Sequence, residues 1–567
     1  TSWVLVFGNQ VVHNAGDVAL FGLLLFQFLT LIQLTLAILF APLLAAGAVA
    51  QEKDRGTLSL LLLTRLHDSE LVVGQLAASL LTMANLLAAG APVFLCAARF
   101  GGFSFEQVAR AYAVTACAAL AAGSLGTLFA FWREKTFQTL ALSLMTLLAW
   151  IGFWEAAAVG AFGTEFFGTP AATCAAWASP FRALEAAVSG GLELALPSGF
   201  LVHPADCFCV GALLATVLLL ATTTWRVRAW NTSGARRDET ALAERESLFA
   251  PPGAPSPAEG AAAPAAPVVR KPYRSAWDQP ILWREVATWA YGKKILFVRV
   301  AYLLLAAVAA AALWRSGVLT ETLTPIEAVW LTVPIMLVSL LLINALAVNS
   351  FCTERDGRTL DLLLVTDLSP GEIVYGKLAG ILWNAKEMVL VPLLLTILVW
   401  RLREQGYPVL TDEEFWYTMI GLVVMDLFAA VLGIHVGMHY ANSRAAMAVS
   451  LGTVIFLFIG VASCMRMIVA FGGSFQMQFL PFAAMIFGGG VGMFVALGLR
   501  NPSPAIAYTS CLLPVATFYA IISFLLDKPH FVFIVTTLTY SFAIASMLIP
   551  AVSEFDVATG RTTGPED

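Results

Sequence analysis

One stretch of charged and then apolar residues occurs twice in this chain of 567 residues, and it constrains the fold more than any other feature. Residues 52–77 and 354–379 match without a gap at 14 of 26 positions, at a constant offset of 302. Each copy follows one long apolar run and leads into another. The repeat therefore predicts two related halves, each with the same short segment between two membrane spans.

Composition gives the class of protein. Hydrophobic residues make up 59% of the chain and charged residues only 12%, whereas soluble domains carry roughly 25% charged residues. Many apolar runs reach the roughly 20 residues that cross a bilayer as a helix. We expect an all-α, polytopic helical membrane protein with two related bundles of about six to eight spans each. A net charge of −5 over this length gives no indication of nucleic-acid binding.

The apolar runs predict where the spans lie. The run at 478–499 contains Gly488–Gly490, which leaves a re-entrant segment open as an alternative to a crossing helix. The predicted spans are Val18–Ala50, Leu71–Ala98, Val108–Trp132, Phe137–Gly160, Cys207–Trp225, 295–314, 326–351, 372–400, 415–440, 445–465, 478–499, 503–526 and 531–551.

These spans divide the chain into three parts. Residues 1–228 form the first half, and residues 1–7 read as the end of a span whose start precedes Thr1. Residues 229–276 form a linker that is rich in Pro and Ala, a composition typical of extended, flexible segments. Residues 277–567 form the second half. It opens with an amphipathic helix at 277–294, which we expect in the membrane surface.

Charge indicates the orientation. Most of the 32 Lys and Arg residues fall on the side of the repeats, the linker and the C-terminus, so the positive-inside rule places that side in the cytoplasm. On the opposite side, Cys174, Cys207 and Cys209 fall in one predicted outer loop. In an oxidising compartment, a disulfide from Cys174 to Cys207 or Cys209 is an alternative to free thiols.

The local chemistry of the repeat predicts a short surface helix followed by a new helix start. Its Thr-Leu-x-Leu-Leu-Leu segment is too short to cross a bilayer. In the second copy, Ser369 to Glu372 fit a capping box. The first copy has His67 in place of Ser369, so we expect Asp68 or Ser69 to cap there. An ordinary polar loop is the alternative, but a loop needs no shared pattern.

The pattern Glu-[Lys/Arg]-Asp, Thr-Leu-x-Leu-Leu-Leu, Thr, Glu-[Leu/Ile]-Val-x-Gly-[Gln/Lys]-Leu resembles the loop between the second and third spans of type-2 ABC exporter permeases. The opening helix of the second half, with Gln279-Pro280, resembles the elbow helix of that family. The resemblance implies an all-helical permease in the cell (inner) membrane, with two permease halves fused in one chain.

In that family the loop forms a coupling helix that docks on a separate ATPase. The resemblance therefore implies coupling helices at Glu52–Arg65 and Glu354–Asp367, anchored on the bundle by their leucines. Their polar contacts with the ATPase would come from the residues that open each copy: Glu52, Asp54, Arg55, Thr57, Glu354, Arg355, Asp356 and Thr359.

The same resemblance implies that this chain is not an enzyme and binds no cofactor. ATP and Mg would be held by two nucleotide-binding domains of the partner ATPase, and the other partners would be membrane lipid and a substrate that the sequence does not identify. The sequence agrees with an ATP site on the partner and not on this chain. Its nearest match to a phosphate-binding loop, around Gly292, has Ala287 in place of the first glycine and Lys294 in place of Ser or Thr.

Charged residues inside spans keep a second class of function open. Lys386, Glu387 and Asp426 lie in mid-span, where a charge costs roughly 2.5–3.5 kcal/mol. They would line a translocation path or form a structural pair between helices, and we expect Lys386 to pair with Asp426. The alternatives are therefore an ion-gradient-driven secondary transporter, which has no need of the repeated cytoplasmic segment, and a membrane assembly protein without transport.

Overall fold

The computed structural model describes most of the chain. The described residues are 15–54, 57–99, 101–133, 136–158, 165–166, 169–189, 194–195, 201–248, 279–287, 295–315, 325–356, 359–404, 407–470, 475–498, 504–526, 528–553 and 555.

The first half is made of helices, with one short hairpin between the fifth and the sixth of them and another between the seventh and the eighth. Hairpin strands β1 to β4 are two residues each and antiparallel. In chain order the elements are α1 (Ala15–Asp54), α2 (Thr57–Leu63), α3 (Asp68–Ala98), α4 (Phe105–Trp132), α5 (Thr136–Ala158), β1 (Glu165–Phe166), β2 (Thr169–Pro170), α6 (Ala171–Ala178), α7 (Pro180–Ser189), β3 (Leu194–Ala195), β4 (Leu201–Val202) and α8 (Pro204–Leu248).

The second half begins with a short helix and contains one more hairpin, whose two strands have two residues each. Its elements are α9 (Pro280–Ala287), α10 (Ile295–Trp314), α11 (Pro325–Asp356), α12 (Thr359–Leu364), α13 (Pro370–Asn384), α14 (Lys386–Arg401), β5 (Arg403–Glu404), β6 (Tyr407–Pro408), α15 (Asp412–His439), α16 (Ser443–Ala470), α17 (Phe475–Leu497), α18 (Pro504–Leu525) and α19 (Pro529–Ser553).

The predicted class, an all-α polytopic membrane protein, agrees with this structure. Within the described residues, nine helices are long and apolar enough to cross a membrane, or ten if a bent pair is one span. Three further helices carry shorter apolar stretches. α17 runs without a break through Gly488–Gly490, so these glycines do not interrupt the helix.

The predicted span 372–400 is not one straight helix. It is divided at Ala385 into α13 and α14, whose axes differ by 56°. Neither Pro nor Gly lies at the break; instead the Arg299 guanidinium donates to the Asn384 carbonyl oxygen at 2.8 Å. The Asn384 side chain donates to the Glu285 carbonyl oxygen at 3.2 Å. The Arg299 bond satisfies the last carbonyl of α13 and permits a new helix to begin, and the Asn384 side chain joins this break to α9.

The first residues of the predicted linker continue a helix. α8 extends to Leu248, so 229–248 are helical. The Pro- and Ala-rich stretch 250–267 lies outside the described residues, as do 1–14 and 556–567. The predicted amphipathic helix at 277–294 is present as α9, from Pro280 to Ala287.

The predicted outer loop with three cysteines also changes. Cys207 and Cys209 lie in the first turns of α8, because that helix begins at Pro204. Cys174 lies on α6 and contacts the Thr169 hydroxyl at 2.9 Å. All three are free thiols.

Close helix crossings in both halves depend on glycine. At Gly126 on α4, a Cβ atom would lie 2.8 Å from the Pro42 carbonyl oxygen on α1. At Gly433 on α15, a Cβ atom would lie 2.7 Å from the Asn344 carbonyl oxygen on α11. Such contact between backbones is possible only without a side chain. Pro42 and Asn344 are separated by the repeat offset of 302.

Both repeats lie at the same end of the protein. At Gly47, near the end of α1, a Cβ atom would lie 2.5 Å from Cδ of Arg444 at the start of α16. The preceding helix, α15, ends beside Arg355, whose guanidinium donates to the Gly437 carbonyl oxygen at 3.1 Å. We call this end, which carries α2 and α12, the repeat end.

Candidate interaction surface at the repeat end

The two repeats have the same local structure. α1 ends at Asp54 and α11 at Asp356, and a short helix follows each after two residues. The Thr57 hydroxyl donates to the Glu52 carbonyl oxygen at 3.2 Å, and the Thr359 hydroxyl donates to that of Glu354 at 3.1 Å. These bonds join the start of each short helix to the last turn of the long helix before it. The predicted short surface helix is therefore present in each copy.

The turn after each short helix is also repeated. The hydroxyls of Thr64 and Thr366 each donate to a leucine carbonyl oxygen three residues earlier, at 2.6 Å. The next helix begins with a backbone N–H that donates to a glutamate at 2.9 Å: His67 to Glu70 in one copy and Ser369 to Glu372 in the other. His67 is thus the N-cap residue, and the expected cap at Asp68 or Ser69 is wrong because α3 already begins at Asp68.

The charged residues that open each repeat do not lie on the short helices. Glu52 and Asp54 belong to the last turn of α1, and Glu354, Arg355 and Asp356 belong to the last turn of α11. The short helices therefore begin at Thr57 and Thr359, five residues after the starts predicted for the coupling helices Glu52–Arg65 and Glu354–Asp367. Arg55 lies outside the described residues.

Glu354 lies in a largely buried ion cluster. Its carboxylate is 2.8 Å from Lys377 Nζ on α13 and also contacts the Arg284 guanidinium on α9. The Lys377 side chain has no exposed surface, and its Nζ donates to the Ser350 carbonyl oxygen at 3.0 Å. The cluster joins α9, α11 and α13, so Glu354 holds this end of the second half together.

The basic residue of each repeat binds the end of another helix. Lys53 Nζ donates to the carbonyl oxygens of Ala130, Phe131 and Arg133 at 2.6, 3.0 and 2.7 Å. Arg355, its counterpart at the offset of 302, donates to those of Gly437 and Tyr440. Cations stabilise the C-terminal end of a helix, where carbonyl groups lack intrahelical partners. The Lys/Arg match in the repeat therefore has a structural reason.

Two further acidic residues of the repeats, Glu52 and Asp356, also have partners within the chain. The Thr57 hydroxyl donates to the Glu52 carboxylate, and the Ser443 hydroxyl donates to the Asp356 carboxylate. If the Glu52 and Asp356 carboxylates formed a polar docking surface, a partner would compete for them with the Thr57 and Ser443 hydroxyls.

Apolar side chains are exposed on each short helix or directly after it. Leu63 and Val365, which correspond at the offset of 302, are both 84% exposed. Leu60 and its counterpart Leu362 are 63% and 72% exposed. The leucines that anchor the helices face inward: Leu58, Leu360 and Leu363 are each less than 10% exposed. The sequence pattern did not indicate these exposed positions, because leucines occupy most of the segment and their spacing does not separate inward from outward positions.

A cleft adjoins the first of these surfaces. It has a volume of about 400 Å³ and lies between the turn after α2 and the α8 helix. Its lining includes Arg65, His67 and Thr224. On one side, Arg228 Nε lies 2.8 Å from Asp68 Oδ1, which joins α8 to the start of α3. The first repeat thus presents an apolar face beside a polar cleft.

The mid-span charges are arranged differently from the prediction. Lys386 does not pair with Asp426; its Nζ lies 4.6 Å from the Trp383 ring on the exposed surface. The break at Ala385 turns Lys386 outward, which is why the predicted pair does not form. Glu387 instead lies 3.5 Å from Arg299 Nε. Asp426 is 3% exposed, and its Oδ2 has no hydrogen-bond partner among the residues that the structure describes.

Comparison of the chain with models of protein families, with curated proteins and with solved structures finds no match.

Proposed function

We propose that this chain is the membrane-spanning permease of an ATP-driven ABC exporter, with both permease halves in one polypeptide. A separate ATPase with two nucleotide-binding domains would bind ATP and Mg and dock on α2 and α12. The observation that carries the proposal is the pair of matched apolar surfaces at one end of the bundle. Leu63 and Val365 occupy equivalent positions and are equally exposed.

Helix packing supports two related bundles. α1 packs on α3, α4 and α5, and its counterpart α11 packs on α14, α15 and α16. α4 packs on α8, as α15 packs on α19. The two halves also contact each other reciprocally: α5 packs on α11, and α16 packs on α1. Such exchange of equivalent contacts is what a two-fold arrangement of similar units produces. A substrate path between the halves follows from it.

The proposed docking surface is apolar, which revises the polar contacts expected at the opening of each repeat. Exposed leucines at the end of a span could also rest in the lipid interface. Matched exposure at two sites favours one partner with two equivalent sites, as a pair of nucleotide-binding domains supplies. In this proposal the repeat end faces the cytoplasm of the cell, and the membrane is the inner membrane.

The test uses Leu63→Asp and Val365→Asp. Burying one such side chain contributes about 1.5–3 kcal/mol, so each substitution is expected to weaken docking by about tenfold or more. The measurement is MgATP hydrolysis by the complex purified from native membranes, per mole of permease, with Leu63→Met and Val365→Ile as apolar controls. The elution volume on size exclusion checks the fold.

Two outcomes would contradict this function. Hydrolysis that persists in the chain after removal of every partner would place the ATPase in this polypeptide. Normal hydrolysis in both Asp variants, together with poor recovery from the membrane, would assign the exposed leucines to lipid.

A secondary transporter remains the second candidate because of Asp426. A buried carboxyl without a partner in mid-span is the kind of group that binds a proton or cation in such proteins. Substrate transport in sealed vesicles separates the two classes. An exporter requires ATP on the side of the repeats, whereas a gradient-driven carrier works without ATP and loses activity with Asp426→Asn.

A further inference from the structure

Arg133 is a buried cation at the repeat end that the proposed function does not use. It follows Trp132, the last residue of α4, and is 4% exposed. Its guanidinium carbon lies 3.4 Å from the centroid of the Trp132 ring and 4.6 Å from that of Phe297. Phe297 belongs to α10, so the guanidinium lies between aromatic rings of the two halves.

Among the described residues, no acidic group neutralises this guanidinium. Its Nε and Nη2 atoms are buried and have no hydrogen-bond partner in that part of the chain. Burial lowers the pKa of Arg133, and no carboxylate offsets that effect. The contrast with Arg228 is informative, because that arginine at the same end is paired with Asp68. An unpaired buried charge costs several kcal/mol, so an anion is expected beside it.

The surroundings indicate where the anion comes from. Arg133 lies directly after a membrane span, at the level where lipid phosphates are found. The side chains around it face outward and are apolar: Trp132 is 39% exposed, Leu296 56% and Phe297 55%. Arginine beside aromatic residues at the end of a span is typical of the membrane–water interface.

We propose that Arg133 binds the phosphate of a membrane lipid headgroup in the leaflet at the repeat end. Nε and Nη2 lie on one edge of the guanidinium, and this edge can donate two parallel hydrogen bonds to a phosphate. The acyl chains contact Leu296 and Phe297. Trp132 covers the guanidinium and shifts outward when the headgroup enters. Because Arg133 and Phe297 come from different halves, the lipid binds at their junction.

The probe is phosphatidylglycerol. The purified full chain is stripped of lipid in detergent, titrated with phosphatidylglycerol, and bound lipids are counted by native mass spectrometry. We expect one lipid that survives mild activation in the wild-type protein and an occupancy at least fivefold lower in Arg133→Gln. Arg228→Gln, at the same end of the bundle, is the matched control and should keep the lipid. Arg133→Lys keeps the charge without the two-pronged edge, so it should show intermediate occupancy.

Three outcomes would overturn the proposal. Equal lipid occupancy in wild type and Arg133→Gln would remove Arg133 from the site. Equal loss in Arg228→Gln would indicate general surface charge. Thermal stabilisation of the wild type by inorganic phosphate, with none from the lipid, would assign the site to a free anion. If Arg133→Gln fails to fold, the comparison of Arg133→Lys with Arg228→Gln decides in the same way.

Discussion

Replacing Glu354 by alanine is expected to lower the free energy of unfolding by about 3–5 kcal/mol. The substitution leaves Lys377 as a charge without its acidic partner in a site with no exposed side-chain surface. It also removes the contact of Arg284 with α11, so α9 loses part of its attachment. The measurement is unfolding of the purified protein in mild detergent, monitored by tryptophan fluorescence.

Glu52→Ala is the matched control for that experiment. Glu52 occupies the same position in the first repeat, but residue 75 there is Gln where the second repeat has Lys377. Its carboxylate contacts the Thr57 hydroxyl, so its loss should cost only about 1 kcal/mol. The double variant Glu354→Leu with Lys377→Leu should recover most of the lost stability, because an ion pair replaced by apolar residues is often neutral. Equal effects of Glu354→Ala and Glu52→Ala would contradict the role of the ion cluster.

Replacing Gly433 by alanine should destabilise the second half by about 1–3 kcal/mol. The new methyl group would lie 2.6 Å from Ala347 Cβ and 2.7 Å from the Asn344 carbonyl oxygen, so α11 and α15 would have to separate. The measurement is the midpoint of thermal unfolding in the same detergent.

Gly421→Ala is the control, since Gly421 lies on the same helix and a Cβ atom there has no neighbour within 4 Å. Alanine at that position should stabilise the protein by up to about 1 kcal/mol through helix propensity. Gly126→Ala should behave like Gly433→Ala. A stabilising effect at Gly433 equal to that at Gly421 would disprove the close crossing.

The sequence predicted the parts of this fold that depend on local pattern. Long apolar runs predicted the nine described helices that are long and apolar enough to cross a membrane, and the capping box at Ser369 predicted the start of α13. The break at Ala385 could not be predicted, since it depends on Arg299, 86 positions earlier, rather than on a proline or glycine at the site. The partners of Glu354 are likewise distant along the chain.

The two repeats were found from the sequence, but the contacts of their charged residues were not. Similarity between the repeats drew attention to Glu354 and Arg355, and both have specific contacts within the chain. Those contacts are inside the protein, because a charged side chain at the end of a helix lies next to carbonyl groups and charged side chains of neighbouring helices. Leu63 and Val365 are exposed, but they lie in an apolar run, where the sequence pattern does not distinguish exposed from buried positions.

The bonds from Lys53 and Arg355 to neighbouring helix ends have a mechanical consequence. Each cation fastens the last turn of the helix that precedes a short helix to the last turn of a second span. A force on α2 is therefore transmitted to α1 and α4 together, and a force on α12 is transmitted to α11 and α15 together. Two fastened spans resist bending more than one, so each half should tilt as a stiff lever, and displacement at the repeat end should reach the far side of the membrane with little loss.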